Sequence, residues 1–274
     1  SVEIPAIVNT TRANGGRNGG LQGFWKDELT QMTATKAETR MVELRPHDLY
    51  VFAFVSDDLL KNDSLMERWI VSKAPEEIRF KLANSIISGT GGAQPTGIRG
   101  HAGTIDQPKT SAPAQPADTI TATNIREMWG RVLAQSRLRG RWYYDLSAEK
   151  EIAEFTIAVG TGGLPLMTPD GGLSVSPFVT LLGRPLTPTE FAYALGDSGD
   201  LFFADFSNYM LVLRGGVESA VSMHLKFDFN QAAFRFIFGV DGQPMADSPI
   251  TPFTPGGTTK TETLSSFVTL AERA

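Results

Sequence analysis

The chain contains no cysteine, so neither disulfides nor thiolate metal sites can hold it together. Histidine is nearly absent as well. His47, His101 and His224 lie in unrelated places, with no His-x-x-x-His or carboxylate–histidine cluster, which argues against zinc. Without cysteine, a nucleophile would have to be serine, threonine, lysine or a carboxylate, and no Gly-x-Ser-x-Gly elbow occurs. The apolar run around residues 50–55 falls far short of the ~20 residues needed to span a bilayer. The opening SVEIPAIVNTTR has neither a basic leader nor an apolar signal segment, and it lacks an initiator methionine. No membrane role is expected. The Gly-rich stretch 89–97 (GTGGAQPTG) lacks the Gly-Lys-Ser/Thr ending of a phosphate loop and follows a helical pattern, not a strand, so nucleotide binding is not expected.

What is present fits a folded protein. A hydrophobic fraction of 41% and a charged fraction of 20% argue against general disorder, and 274 residues suffice for one large domain or two moderate ones. The 27 glycines and 16 prolines point to many turns. A net charge of −5 is mildly unfavourable for gripping nucleic acid.

Residues 1–20 are polar and end in NGGRNGG, either a loose terminus or an arm ordered by other surfaces. Residues 21–48 carry Phe24, Trp25, Leu29, Met32 and Met41 among charges and threonines. They read as a ribbon too poor in apolar residues to stand alone. Residues 48–56 (DLYVFAFVS) predict a strand apolar on both faces, which should be covered on both sides. Ser64 and Glu67 form a capping-box pattern, and Met66, Ile70, Ala74, Ile78, Leu82 and Ile86 then recur every four residues up to Gly89. Pro75 should kink or break that helix.

Residues 100–121 read as a long loop. Residues 124–138 predict a helix capped by Thr123 or Asn124, with Glu127 in its first turn, and 141–146 a strand. A further helix opens at Ser147, with Ile152, Phe155 and Val159 inward, and 160–172 is turn material. Glu149, Glu151 and Glu154 suit a helix start. Strict alternation over 221–228 predicts a half-buried antiparallel strand, and Phe234, Phe236 and Phe238 a second one with a turn at Asp241-Gly242. Asp197 and Asp200, in a Gly-Asp corner, read as turn formers more than as cation ligands. The fold class is α+β.

One ordered series of short pieces stands out. Gly183-Arg184-Pro185, Gly196-Asp197, Ala204-Asp205-Phe206-Ser207, Phe234-Arg235 and Val240-Asp241-Gly242 follow one another through the last third of the chain. This order resembles the C-terminal half of the major capsid proteins of tailed double-stranded DNA bacteriophages, the HK97-like fold.

The resemblance implies an N-terminal arm over 1–20, an E-loop hairpin over 21–48, and a peripheral (P) domain of strand and long spine helix over 49–97. An axial (A) domain follows over 98–206, then the antiparallel P-domain sheet over 207–240 and a return to the A domain over 241–274. It implies a structural virion protein in mature form, without enzymatic activity, cofactor or metal. Such a protein would assemble in the host cytoplasm into hexamers and pentamers of itself and enclose double-stranded DNA without reading its sequence. Portal, scaffold, protease and decoration proteins are the further partners it implies. Proteolytic removal of a segment ahead of Ser1 would suit it too.

As inter-subunit contacts we expect Phe24, Trp25, Lys26, Lys36 and Arg40, with the Phe24/Trp25 pair as the anchor on a neighbour; otherwise both rings tuck under their own sheet. Some members of the family join an E-loop lysine to an asparagine on a neighbour, promoted by a buried glutamate. Lys26 and Lys36 stand where a donor would, but the acceptor's place falls near Phe234 and the glutamate's near Asp241. Asn230 is the nearest asparagine, and no cross-link is expected. An encapsulin-type shell that holds cargo enzymes shares the fold, and a soluble α+β enzyme or binding module is the reading from another class.

Overall fold

The computed structural model describes the chain apart from residues 14–15, 63, 112–113, 154–155, 158–163, 166–179, 256–259, 261 and 274. Glu154, Phe155, Val159 and most of 160–172, named above, lie outside the described residues. In chain order the elements are β1 (Val2–Ile7), β2 (Thr39–Leu44), β3 (His47–Ser56), α1 (Asp57–Asn62), α2 (Ser64–Ser88), β4 (Ile105–Gln107), α3 (Ala122–Arg131), β5 (Arg141–Tyr144) and α4 (Glu149–Ala153). The short strands β6 (Thr156–Ile157), β7 (Leu164–Pro165) and β8 (Thr180–Leu181) follow. Then come β9 (Arg184–Pro188), β10 (Leu201–Ala204), β11 (Tyr209–Lys226), β12 (Gln231–Pro244) and β13 (Phe267–Leu270).

The chain divides into two compact units. The first comprises Ser1–Ile4, Val42–Gly97 and Met210–Gln243. Its sheet has the order β11-β12-β3, with β12 antiparallel to β3 so that Phe234, Phe236 and Phe238 oppose Ala53, Val51 and Leu49. These residues and Val55 form one face, and α2 packs onto it through Met66, Ile70, Ala74 and Ile78. The four-residue spacing is what places that stripe on one side of a helix. Among 25 residues, about 37 Å of helix, Pro75 costs a backbone donor yet leaves the element unbroken.

The helix stops at Gly89. A Cβ there would lie 2.2 Å from the Pro95 carbonyl oxygen, and one at Gly97 would lie 2.5 Å from the Gly89 nitrogen. The Gly97 amide donates to the Gly89 carbonyl at 2.8 Å. The glycines of 89–97 therefore serve a backbone-on-backbone turn.

Three expectations for this unit need correction. β3 is covered on one face only, because α2 takes the Leu49/Val51/Val55 side and Tyr50, Phe52 and Phe54 remain exposed. β11 is not half-buried: Val221, Met223 and Leu225 are exposed, and so are the residues between them. The strand also stops at Lys226, where residues 227–229 close a 3-10 turn and Asn230 takes left-handed backbone at φ 52°. Asp241-Gly242 is not a turn beyond β12 but part of the strand. Asp241 accepts the Arg45 amide at 2.6 Å, and the Gly242 carbonyl accepts Thr96 at 2.7 Å.

The second unit comprises Pro5–Met41, Ile98–Tyr209 and Pro244–Ala274. Its mixed six-stranded sheet runs β4-β13-β10-β5-β9-β8. Trp142 and Phe203 point to one side, where Trp129 of α3 stacks on Trp142 at 6.1 Å and Phe203 meets both rings edge-on. Met128, Leu201, Val268 and Leu270 belong to the same core. On the other side Tyr143 stacks on Phe202 at 5.2 Å. Burial pushes the Tyr144 hydroxyl up to about 12, with the nearby Glu149 carboxylate adding to the effect.

Helix α3 is capped by Thr121, not by Thr123 or Asn124. The Asn124 amide donates to Thr121 Oγ1, and the Thr121 amide donates to Asn124 Oδ1 at 2.9 Å. The helix also ends at Arg131 and not at Leu138, because backbone pairing with a distant segment wins. Leu133 donates to the Ser265 carbonyl at 3.0 Å, and Ser265 donates to that of Arg131 at 2.9 Å. β5 stops at Tyr144, since Asp145 accepts the Ser147 amide at 2.8 Å and starts a short 3-10 turn.

The ordered sequence pieces prove to be folding devices. Leu182 and Gly183, both at positive φ, make the two-residue turn joining β8 to β9. Asp205 accepts from the Ser207 amide and hydroxyl and from Asn208 Nδ2, which fixes the turn after β10. Asp200 is fully buried and accepts the amides of Gly196 at 3.0 Å and Leu201 at 2.7 Å. Arg273, also fully buried, forms an ion pair with it. Desolvation pushes the Asp200 carboxyl above its usual range, while Arg273 and the two amides pull it back. Asp200 is thus the anchor for a distant arginine as well as a turn former. Near the His101 turn, the Gly103 amide donates to His101 Nδ1 at 3.0 Å. Burial lowers the His101 pKa, Asp247 opposes that shift and Arg40 adds to it.

Candidate assembly surface

Residues 21–48 do not fold as the expected two-stranded E-loop hairpin. β2 pairs with β1, and between Gln22 and Glu38 the chain has no strand. What it forms is a loop with a clamped neck. Glu38 donates to the Gly19 carbonyl at 2.8 Å, Val8 donates to that of Glu38 at 3.1 Å, and Gln22 donates to Thr35 Oγ1 at 3.4 Å. Gly19 sits at φ 58°, and a Cβ there would come within 2.6 Å of the Glu38 oxygen, so the neck requires glycine.

The loop carries its apolar side chains outward. Trp25 and Leu29 are fully exposed, Met32 is 75% exposed and Phe24 55%. The pair Phe24/Trp25 is therefore not tucked under its own sheet. Lys26 and Lys36 are also exposed. Arg40 is half-buried; it pairs with Asp247 at 2.5 Å and donates to the Met245 carbonyl at 2.8 Å, so its charge is matched within the chain.

A second exposed apolar surface lies on the first unit. Phe52 and Phe54 meet edge-on at 4.8 Å beside Tyr50, which is 68% exposed. Lys226 Nζ lies 5.3 Å above Phe54 and 4.8 Å above Phe229, near enough for cation–π attraction. Arg235 opposes Phe52 on the same face. β11 is also an edge strand of 18 residues, about 60 Å long, and such edges invite pairing with another chain. Apolar surface on this scale is rarely left open in a monomer.

Among the described residues no group of three His, Asp or Glu is placed to hold a metal, and no helix is long and apolar enough to cross a membrane. Phe234, at the acceptor's place for a cross-link, is buried, and the Asn230 carbonyl accepts the Asp57 amide at 3.0 Å.

The sequence model of the Phage capsid family matches residues 3–254. The chain belongs to the phage capsid family. This capsid protein is a structural subunit, and its α+β fold is HK97-like. Among solved structures it is similar to the capsid of an empty GTA particle, computed with C5 symmetry. The identity is 15% over all of this chain and 86% of that chain, with a TM-score of 0.70. The capsid of the native GTA particle, also 15% identical with the same coverage, gives a TM-score of 0.71. A structure from Gordonia phage Cozz, 12% identical over all of this chain and 82% of that one, gives 0.63. At such identities the likeness is one of fold. No curated protein matches the chain in sequence. Sequence pattern singles out Phe24 and Trp25 as contact candidates, but predicts cover for the Tyr50/Phe52/Phe54 face that the structure leaves open.

Proposed function

We propose that this capsid subunit assembles with itself into hexamers and pentamers that close into an icosahedral shell around packaged double-stranded DNA. The observation that carries this reading is the loop over 22–38, which holds Trp25 and Leu29 fully in solvent on a clamped neck. In this reading residues 21–48 act as an E-loop crossing onto a neighbour, with 1–20 as an arm beside it. Residues 49–97 and 207–240 form the P domain, and 98–206 with 241–274 the A domain. Phe24, Trp25, Lys26 and Lys36 make contacts to adjacent subunits, while Arg40 braces the base of the loop.

The protein works by surface and carries no catalytic activity or cofactor. It encloses DNA without sequence readout, as its net charge of −5 suits. Portal, scaffold, protease and decoration proteins are its further partners, and assembly takes place in the host cytoplasm. Many modest contacts held simultaneously give such a shell its strength without a covalent cross-link.

Sedimentation velocity tests the reading. The purified protein is expected to sediment as large particles of narrow size distribution that fall apart in denaturant. A stable monomer or dimer at every salt concentration contradicts it.

A further inference from the structure

A cleft of about 300 Å³ in the second unit is unexplained by the fold. Leu133, Ile250, Phe253 and Leu264 form its apolar walls, and Arg12 and Arg17 stand at it. Its floor is rigid: Ile250 and Leu264 exchange backbone hydrogen bonds at 2.7 and 2.8 Å, and Arg12 is strapped to it by its amide on the Thr251 carbonyl at 2.8 Å. Neither arginine has an acidic partner among the described residues, and Arg12 Nε is buried without an acceptor. Burial, and then the neighbouring Arg17, both lower the Arg12 pKa, as expected of two like charges left facing one another. Lys260 lies close by, with Nζ on the Phe253 carbonyl at 3.0 Å. The cleft therefore asks for a carboxylate joined to an apolar side chain.

The same chain displays that combination in residues 24–29, FWKDEL. Leu29 is fully exposed at φ 65°, a left-handed conformation that sterically disfavours any residue with a Cβ. The turn is pinned there by Thr30 Oγ1 on the Asp27 carbonyl at 2.7 Å. Asp27 and Glu28 are exposed and, among the described residues, unpaired. A strained turn holding leucine and tryptophan in water beside two free carboxylates is a plug without its socket.

We propose that residues 24–29 of a second copy of this chain dock in the cleft, with Trp25 and Leu29 against its apolar walls and Asp27 and Glu28 on Arg12 and Arg17. This rests on the reading that the loop reaches a neighbouring subunit in a shell.

The absence of native cysteine makes cross-linking a clean test. A Leu29→Cys/Phe253→Cys double variant is assembled, imaged and then oxidised, beside Leu29→Cys alone and Leu29→Cys/Phe52→Cys. Both Leu29 and Phe253 are at least half exposed, so the folded subunit should tolerate the changes. The expected result is a ladder of covalent oligomers on a non-reducing gel, roughly tenfold above Leu29→Cys alone, because the two thiols are held together only in the docked state. Intact shells without that ladder overturn the docking. If Leu29→Cys/Phe52→Cys links instead, the loop does reach a neighbour but lies on the open sheet. If the unmodified protein forms no shells, the capsid-assembly reading falls and the docking with it. In a second arm, Glu28→Arg should block assembly of a folded subunit, and Arg17→Glu in the same chain should restore it; failure of that rescue overturns the charge pairing.

Discussion

Arg273→Met is expected to destabilise the unassembled subunit by about 3–5 kcal/mol, the cost of leaving one member of a buried ion pair alone. Arg273 and Asp200 are both 0% exposed. The guanidinium also donates to the Thr119 carbonyl at 2.7 Å and to that of Ala271 at 2.9 Å, so its loss strands two acceptors besides the carboxylate. In a protein of this size the melting midpoint should fall by roughly 10 °C. The double variant Asp200→Asn/Arg273→Met should recover part of the loss, because no lone charge stays buried.

The deficit should also shrink in acid. Without Arg273, desolvation raises the folded pKa of Asp200 further above its unfolded value. Stability in the variant is then fullest below the unfolded pKa and is lost as pH rises through the folded one. Thermal unfolding of the three proteins across acidic and neutral pH checks this. An Arg273→Met protein within roughly 1 kcal/mol of the parent at neutral pH would show that the pair is not what secures this corner.

Trp25→Ala is expected to do the opposite: to leave the subunit intact and impair the shell. The ring makes no buried contact in its own chain, so the unfolding midpoint should hold within about 0.5 kcal/mol, as for ordinary surface substitutions. If the ring is buried against a neighbour, truncation removes about 2 kcal/mol or more per contact, roughly a thirtyfold loss in each contact's equilibrium constant. A shell multiplies that loss by the number of its interfaces, so the concentration needed for assembly should rise steeply. Light scattering against protein concentration, alongside thermal unfolding, separates the two effects. Normal assembly with a lowered unfolding midpoint contradicts the anchor role.

Local patterns carried the fold wherever local forces decide it. The α2 stripe from Met66 to Ile78 was legible because a single helix face meets a single sheet. The Phe234/Phe236/Phe238 alternation was legible for the same reason. Boundaries failed where distant backbone intervened, as at Val132 and Leu133, which Ser265 draws out of the helix. The Asp200–Arg273 pair has no local signal, since 73 positions separate the partners. The largest misreading was instructive in another way. Tyr50, Phe52 and Phe54 and the β11 alternation look like core because they are apolar in register, yet one chain leaves them open. Under the assembly proposed above, other copies supply the burial that this pattern anticipates. Arg12 and Arg17 carry no local signal, and Leu29 stands out in the sequence only as one apolar residue among several in its loop. Their missing partners and the backbone at Leu29 became visible only in three dimensions.

Electron microscopy of the purified protein decides whether it builds a shell. Closed shells of uniform diameter are expected, built from five- and six-membered rings, with the 22–38 loop of each subunit lying on its neighbour. A field of separate monomers or dimers, without rings or shells at any salt concentration, would contradict it.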